Sequence, residues 1–266
     1  MKTIILGAGQ GKRLLPLTAE TPKCLLLIQG KTLIEWQIDA LHQCGVDKIT
    51  VVTGYRAEKV DEVLQRSYGP GRIKTLYNSA HAVTDNLVSC WAARHEMNED
   101  FILLNGDTLF ETSVLKRLFA SHDRPVTVVV NHKDMYDADD MKVEMEGRRL
   151  LRIGKNIAHD KVQGESIGMI LFRGEGPMLF RSALKKALGD PMAGGKWYLS
   201  VIDEMARVMP VWTCSITGLH WCEVDYPADL KQADGVVSVC STKESGQSCA
   251  DILRFEEQTS VISESC

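Results

Sequence analysis

The sequence carries no excess of basic charge. Its 31 Lys and Arg face 35 Asp and Glu, for a formal net charge of −4. Nucleic-acid binders present a basic face, so no nucleic-acid partner is expected. No apolar run is long enough to span a bilayer, so no membrane partner is expected either. None of the eight cysteines forms a C-x-x-C pair, and a zinc or redox motif lacks support. Several cysteines lie inside apolar patterns, where a free thiol packs as a small hydrophobe, and a reducing cytoplasm suits them. No segment recurs with the period of a solenoid or propeller. No Ser/His/Asp-type set suggests a protein nucleophile. Met1 and Lys2 lead straight into a strand pattern, which predicts no secretory leader.

What is present suffices for a core. The chain has 266 residues, 44% of them hydrophobic, enough for one large domain or two small ones. Lys2–Gly7 (KTIILG), 48–53, 72–77 and 101–104 are short apolar runs, each predicting a strand. Between them, helical spacing covers 33–44, closed by Gly45, then 57–66 and 87–97. Strands alternating with helices predict parallel pairing covered on both faces. After residue 125 the pattern changes. It predicts a strand at 126–130, a hairpin over 141–155 turning at Gly147, and a strand at 167–172. Helices follow at 177–188 and 198–208, then strand-rich residues 211–225 and a helix opened by Pro227. The last 29 residues hold seven Ser and few large apolar groups. They read as a mobile tail or a linker to a further domain, with one helical turn around 252–255.

The stretch LGAGQGKRLLPLTAETPKCLL (6–26) carries the chemistry. A glycine-rich turn from strand to helix offers free backbone N–H groups to phosphate. The dinucleotide fingerprint fails, because its last glycine place holds Lys12. The Walker A pattern fails too, with Leu6 and Arg13 where glycine and Ser or Thr belong. What remains is G-x-G-x-G-x-R followed by Pro22-Lys23. Donors from the loop, with Arg13 and Lys23 as fixed charge, suit a triphosphate whose pyrophosphate must be neutralised as it leaves.

Residues 4–27 resemble the signature of the sugar-phosphate nucleotidylyltransferase superfamily. LNGDTLF (104–110) resembles its metal-binding strand end, and WCEVDYPADL (221–230) its second metal-binding segment. The resemblance runs from about residue 2 to 236. It implies an α/β fold: a Rossmann-like, mostly parallel mixed sheet with helices on both faces. One nucleotidyltransferase domain would span 1–237, with a mixed-β acceptor-binding elaboration at about 131–225 and the Ser-rich tail at 238–266. The implied enzyme transfers a nucleotidyl group from an NTP to a phosphate monoester and releases pyrophosphate. Asp107 and Asp225 would hold Mg²⁺, with Mn²⁺ as the alternative. Asp107 follows a strand at its carboxyl end, where ligands bind in open parallel sheets, although a turn former also fits there. A helix cap before Pro227 also fits Asp225.

Two further stretches, YNSAHAVTDNLVSCWAAR (77–94) and YDADDMKVEMEGRRLLRIGK (136–155), are similar to one branch of the superfamily. That branch contains the phosphocholine, phosphonate and inositol-phosphate cytidylyltransferases. Hexose-1-phosphate enzymes carry Gly-Leu or Gly-Thr where this chain has Thr84-Asp85-Asn86-Leu87. The resemblance therefore implies CTP as donor and a small phosphate or phosphonate as acceptor, such as phosphocholine or 2-aminoethylphosphonate. Arg13, Lys23 and Lys155 would be the catalytic cations. Leu6, Ala8, Gly9, Gly11, Lys12, Arg13, Tyr77 and Asn86 would hold the nucleotide, with a helix cap competing for Asn86. Lys142, Lys155, Glu165, Tyr198 and Glu223 would meet the acceptor. Trp197, Tyr198 and Trp221 are candidates for an aromatic wall toward a quaternary ammonium. Asp139 and Asp140 read as a charged loop or as counter-charges for a cationic acceptor. A sugar-1-phosphate uridylyl- or thymidylyltransferase and a non-catalytic nucleotide-binding regulatory module stay open, as does assembly into an oligomer.

Overall fold

The computed structural model describes residues 1–244, with side chains through Cys240. The first half of the chain contains β1 (Lys2–Leu6), β2 (Leu27–Ile28), β3 (Lys31–Thr32), α1 (Leu33–Gln43), β4 (Lys48–Thr53), α2 (Ala57–Tyr68), β5 (Lys74–Tyr77), α3 (Asn86–Ala92), β6 (Phe101–Asn105), β7 (Thr108–Phe110) and α4 (Thr112–Phe119). The second half contains β8 (Val126–Asn131), β9 (Lys142–Glu146), β10 (Arg149–Gly154), β11 (Gly164–Phe172), α5 (Gly176–Ala187), α6 (Tyr198–Val208), β12 (Val211–Ser215), β13 (Trp221–Glu223) and α7 (Asp229–Glu244).

Nine strands form one sheet in the order β5-β4-β1-β6-β11-β8-β12-β10-β9. The expected parallel core is β5-β4-β1-β6. Beyond it the pairing is antiparallel except for β8 beside β12, because β11 returns between β6 and β8. Alternate residues of the central strands face opposite layers. Ile4 and Leu103 pack with Leu87 of α3, Phe180 of α5 and Ile202 of α6. Ile5 and Leu104 pack with Ile38 of α1, Leu64 of α2 and Leu118 of α4. A third cluster joins Leu14, Ile28, Leu109, Val224 and Val236, fastening α7 beneath the segment after the glycine loop.

Local signals explain the boundaries. Thr32 and Glu35 form a reciprocal capping box that starts α1. The hairpin turns at Gly147 as expected, with φ of +58°. Residues 108–119, which carried no expected element, form β7 and α4, whose apolar side is Val114, Leu115 and Leu118. The expected tail boundary at 238 falls inside α7, which continues through Glu244. The remaining tail, with the turn expected around 252–255, lies outside the described residues. No helix among the described residues is long and apolar enough to cross a membrane.

The carboxylate of Asp203 ties α6 to the hairpin. It accepts from Arg152 Nε and Ile153 N, each at 2.9 Å, and from Arg207 Nη2 at 2.6 Å. Burial alone would raise its pKa, but these three bonds hold it below the ordinary value. We predict that Asp203→Ala lowers stability by about 2 kcal/mol at neutral pH, measured by urea unfolding. A depressed carboxylate stabilises above its unfolded pKa of roughly 3.9, and the contribution vanishes as pH falls through the folded value. The gap between wild type and variant should therefore close in acid. An unchanged gap would contradict the ion-pair account.

Candidate functional site

The strand order reverses between β1 and β6, and the site lies outside the carboxyl ends of these strands. Gly7 N donates to Val52 O at 2.9 Å, and Tyr55 N donates to Ala8 O at 3.0 Å, pinning the glycine loop over β4. Gly11 has φ of +77°, and a Cβ there would stand 2.9 Å from Lys23 Cβ. Glycine at this place therefore lets the loop close against Lys23. The Thr18 hydroxyl donates to Gly11 O at 2.8 Å and holds the bend. Lys23 opens a short 3-10 turn after Pro22, with Cys24 buried beneath it.

The two aspartates arrive on a ribbon. β7 and β13 pair antiparallel, with Thr108 opposite Glu223. Asp107 precedes one strand and Asp225 follows the other, and Val224 N donates to Asp107 O at 3.1 Å. Gln37 of α1 reaches under the turn and donates to Asn105 O and Thr108 O, both at 2.7 Å. Asp229, at the start of α7, accepts from Asp225 N and Tyr226 N at 2.8 and 2.7 Å. Each carboxylate thus has a backbone fixed by a different helix.

Between them lies the Lys23 ammonium, 2.6 Å from Asp107 Oδ2 and 2.5 Å from Asp225 Oδ1. Arg13 Nη2 takes the other Asp225 oxygen at 2.7 Å. Burial works against the charge on Lys23, but the two carboxylates outweigh it and raise its pKa above the ordinary value. Asp107 Oδ1 is buried without a hydrogen-bond partner. Two carboxylates converging on one cation, one with a spare buried oxygen, are a donor set that fits a hard divalent metal. Among the described residues no group of three or more His, Cys, Asp or Glu gathers to hold a metal. The pair would thus leave positions for water and phosphate oxygens, as Mg²⁺ prefers.

Farther out, Asp139 gathers the remaining cations. It accepts from Arg13 Nη1 and Lys155 Nζ, each at 3.1 Å, and from the Tyr226 hydroxyl at 2.7 Å. The Tyr226 hydroxyl and Lys155 hold its carboxyl below the ordinary range. Lys155 also sits over the Trp197 ring, 4.4 Å from its centroid. Asp139, Asp225 and Tyr226 form the near wall of a cleft of about 670 Å³. That cleft is lined by seven Asp and Glu residues and one lysine, Lys133. Glu165 lines it, but Lys133 already pairs it at 2.7 Å and also meets Asp140 at 2.8 Å. Burial pushes the Glu165 carboxyl up against the pull of Lys133. Glu223 lies there too, pushed up to about 8 by burial and by Asp107 and Asp225, with Lys23 and Asn105 opposing.

Three expected site residues have other work. The Lys142 ammonium donates to the carbonyls of Asp137, Ala138 and Lys155, so it shapes the acidic loop from beneath. Tyr198 is fully buried and donates its hydroxyl to Asn105 Oδ1 at 3.1 Å, supporting the end of β6 rather than the acceptor wall. Asn86 accepts from Tyr198 N at 2.9 Å and thus caps α6, whereas Asp85 caps its own helix α3. Trp221 does line the cleft. Tyr77 is exposed, its ring edge-on to His81. Leu6, Ala8, Gly9, Gly11 and Lys12 follow one another along the mouth from the end of β1. Gln37, Asn105, Lys133 and Tyr226 carried no expected role. Of these, Asn105 and Tyr226 had a local signal, lying in the two segments that hold Asp107 and Asp225.

We predict that Gln37→Met, of similar volume, destabilises by about 3 kcal/mol, because it leaves two buried carbonyls unpaired. A change below about 0.5 kcal/mol in urea unfolding would show that the turn at Asp107 does not depend on it.

Comparison with known proteins agrees with this fold. The chain is 29% identical over 244 residues to CMP-5'-(3-aminopropyl)phosphonate synthase of Streptomyces rubellomurinus, covering 88% of this chain and 38% of that protein. It is 25% identical over 258 residues to CTP:phosphoglutamine cytidylyltransferase of Campylobacter jejuni, covering 87% of this chain and 98% of that one. The chain therefore spans well under half of the first relative and nearly all of the second. The inositol-1-phosphate CTP transferase from T. maritima shares the fold, with a TM-score of 0.76 at 23% identity, covering 89% of this chain and 94% of that one. Residues 3–205 match the model of the MobA-like NTP transferase domain, most of the chain, and the protein belongs to that family.

Proposed function

We propose that the protein is a metal-dependent cytidylyltransferase. In this reading it joins the CMP moiety of CTP to a small phosphate or phosphonate that carries a positive charge, and releases pyrophosphate. The observation that carries the reading is the convergence of Asp107, Asp225, Lys23 and Arg13 at the mouth of the glycine loop. Acids outnumber lysine in the adjoining cleft, and an excess of negative charge remains with Glu223 pushed up to about 8 and Lys133 paired, which supports a cationic acceptor. CTP as donor is supported by the two relatives named for CMP and CTP chemistry.

The acceptor oxygen attacks the α-phosphorus in line. A new P–O bond forms as the bond to the bridging oxygen of the β-phosphate breaks, and pyrophosphate leaves with that electron pair. A dianionic acceptor has no proton to lose, so no protein base is needed. Positioning and charge carry the reaction. Asp107 and Asp225 would hold the divalent cation, which would neutralise charge on the α-phosphate and the leaving group. The glycine loop offers N–H groups to the phosphates, and Arg13 and Lys23 supply positive charge for the departing pyrophosphate. In this reading Lys155, released from Asp139, meets the acceptor's phosphate. As Arg13 and Lys155 turn toward phosphates, Asp139 loses both cations and becomes the counter-charge for the acceptor's ammonium.

The test is pyrophosphate release with Mg²⁺, crossing CTP and UTP with 2-aminoethylphosphonate, phosphocholine, inositol-1-phosphate and glucose-1-phosphate. Release with CTP and an amine-bearing acceptor is expected. Release only with UTP and the sugar phosphate would overturn the donor and acceptor reading while leaving the loop intact. Asp107→Asn should lower turnover on the order of 100-fold or more with the fold retained by circular dichroism. Asp139→Asn should lower kcat/KM about tenfold for cationic acceptors and much less for inositol-1-phosphate. An equal loss for both would deny Asp139 its acceptor role.

A further inference from the structure

We propose that Lys23 is also a positioning residue. In the free protein its ammonium holds the place of the metal, fixing the Asp107 and Asp225 carboxylates until nucleotide draws it away. This rests on the reading of those two aspartates as the metal's carboxylates.

The carboxylate oxygens themselves make the case. Lys23 occupies Asp107 Oδ2 and Asp225 Oδ1, and Arg13 occupies Asp225 Oδ2. The fourth oxygen, Asp107 Oδ1, is buried and unpartnered. No divalent ion can draw on both carboxylates while the ammonium lies between them. The Lys23 side chain is only 12% exposed, so displacement without a new partner would strand a buried charge. Phosphates provide that partner. When a triphosphate lies on the glycine loop, Lys23 and Arg13 exchange carboxylate for phosphate oxygen, and the aspartates exchange ammonium for metal. Every charge then keeps a partner. Metal alone, or triphosphate alone, satisfies only half of this exchange. Binding of the two is therefore coupled through Lys23, and by linkage the coupling is reciprocal.

The free site also gains its geometry from this contact. Asp107 and Asp225 flank the paired strands of one ribbon, and two carboxylates so close repel. An ammonium bridging them keeps the pair in the arrangement the metal later uses, so little reorganisation remains at binding.

The test is a titration of the full chain with Mn²⁺ alone, read by the electron paramagnetic resonance signal of the free ion, without nucleotide. Wild type should bind weakly. Lys23→Met should bind at least about tenfold more tightly, and Lys23→Arg, which restores a cation, should return to weak binding. A lysine with a merely structural role would give the opposite or no change. Lys23→Gln serves if Lys23→Met does not fold. In Lys23→Met/Asp107→Asn the tight binding should disappear. Tight Mn²⁺ binding to wild type that Asp107→Asn removes would overturn the place-holder and leave the metal assignment standing. Indifference of Mn²⁺ binding to Asp107→Asn in every background would overturn both.

Discussion

One ammonium between two carboxylates organises this site. Asp107 and Asp225 come from distant parts of the chain and meet because β7 and β13 form a two-stranded ribbon. Left alone, two partly buried carboxylates would repel each other. Lys23 makes their proximity tolerable, and much of the surrounding structure serves to deliver it. The left-handed bend at Gly11 lets the loop close on the lysine stem. Gln37 satisfies the carbonyls of the turn that presents Asp107, and Asp229 holds the backbone of Asp225. The sheet contributes by reversing its strand order at this place, which opens a crevice where loop and ribbon can face each other.

The charges divide into two regions that share a wall. At the mouth, Arg13, Lys23 and Lys155 are each held by a carboxylate. In the adjoining cleft, acids outnumber lysine seven to one. In the proposed reading a triphosphate takes the first region and a positively charged small molecule the second. Asp139 belongs to both, bound to mouth cations while facing the cleft. A substrate that replaces its cations with phosphate frees it for the other region. Such exchange of partners lets a site be electrostatically quiet when empty and strongly complementary when filled.

The sequence made the mouth legible because its signals are local. The glycine spacing, Arg13, Pro22-Lys23 and the two aspartates lie in short contiguous stretches. The hairpin around Gly147 and helix α6 were legible for the same reason, since turn chemistry and apolar spacing act over a few residues. Roles set by a distant backbone partner were not. Lys142 looks like any substrate-facing lysine until its three carbonyl acceptors are seen. Asn86 was read as a base contact or a cap, and it caps a helix more than a hundred positions away. Tyr198 carries the polar handle of a wall residue, yet its hydroxyl is used by Asn105 in the core. Helix α4 does carry a local signal, with Val114, Leu115 and Leu118 at helical spacing.

The central claim is that Asp107 and Asp225 exchange the Lys23 ammonium for a metal as nucleotide binds. A crystal structure with Mg²⁺ and a non-hydrolysable CTP analogue tests it most directly. The account predicts a cation ligated by both aspartates, with Lys23 Nζ moved onto phosphate oxygens. Lys23 still bridging the two carboxylates, with nucleotide bound and the metal elsewhere, would contradict it.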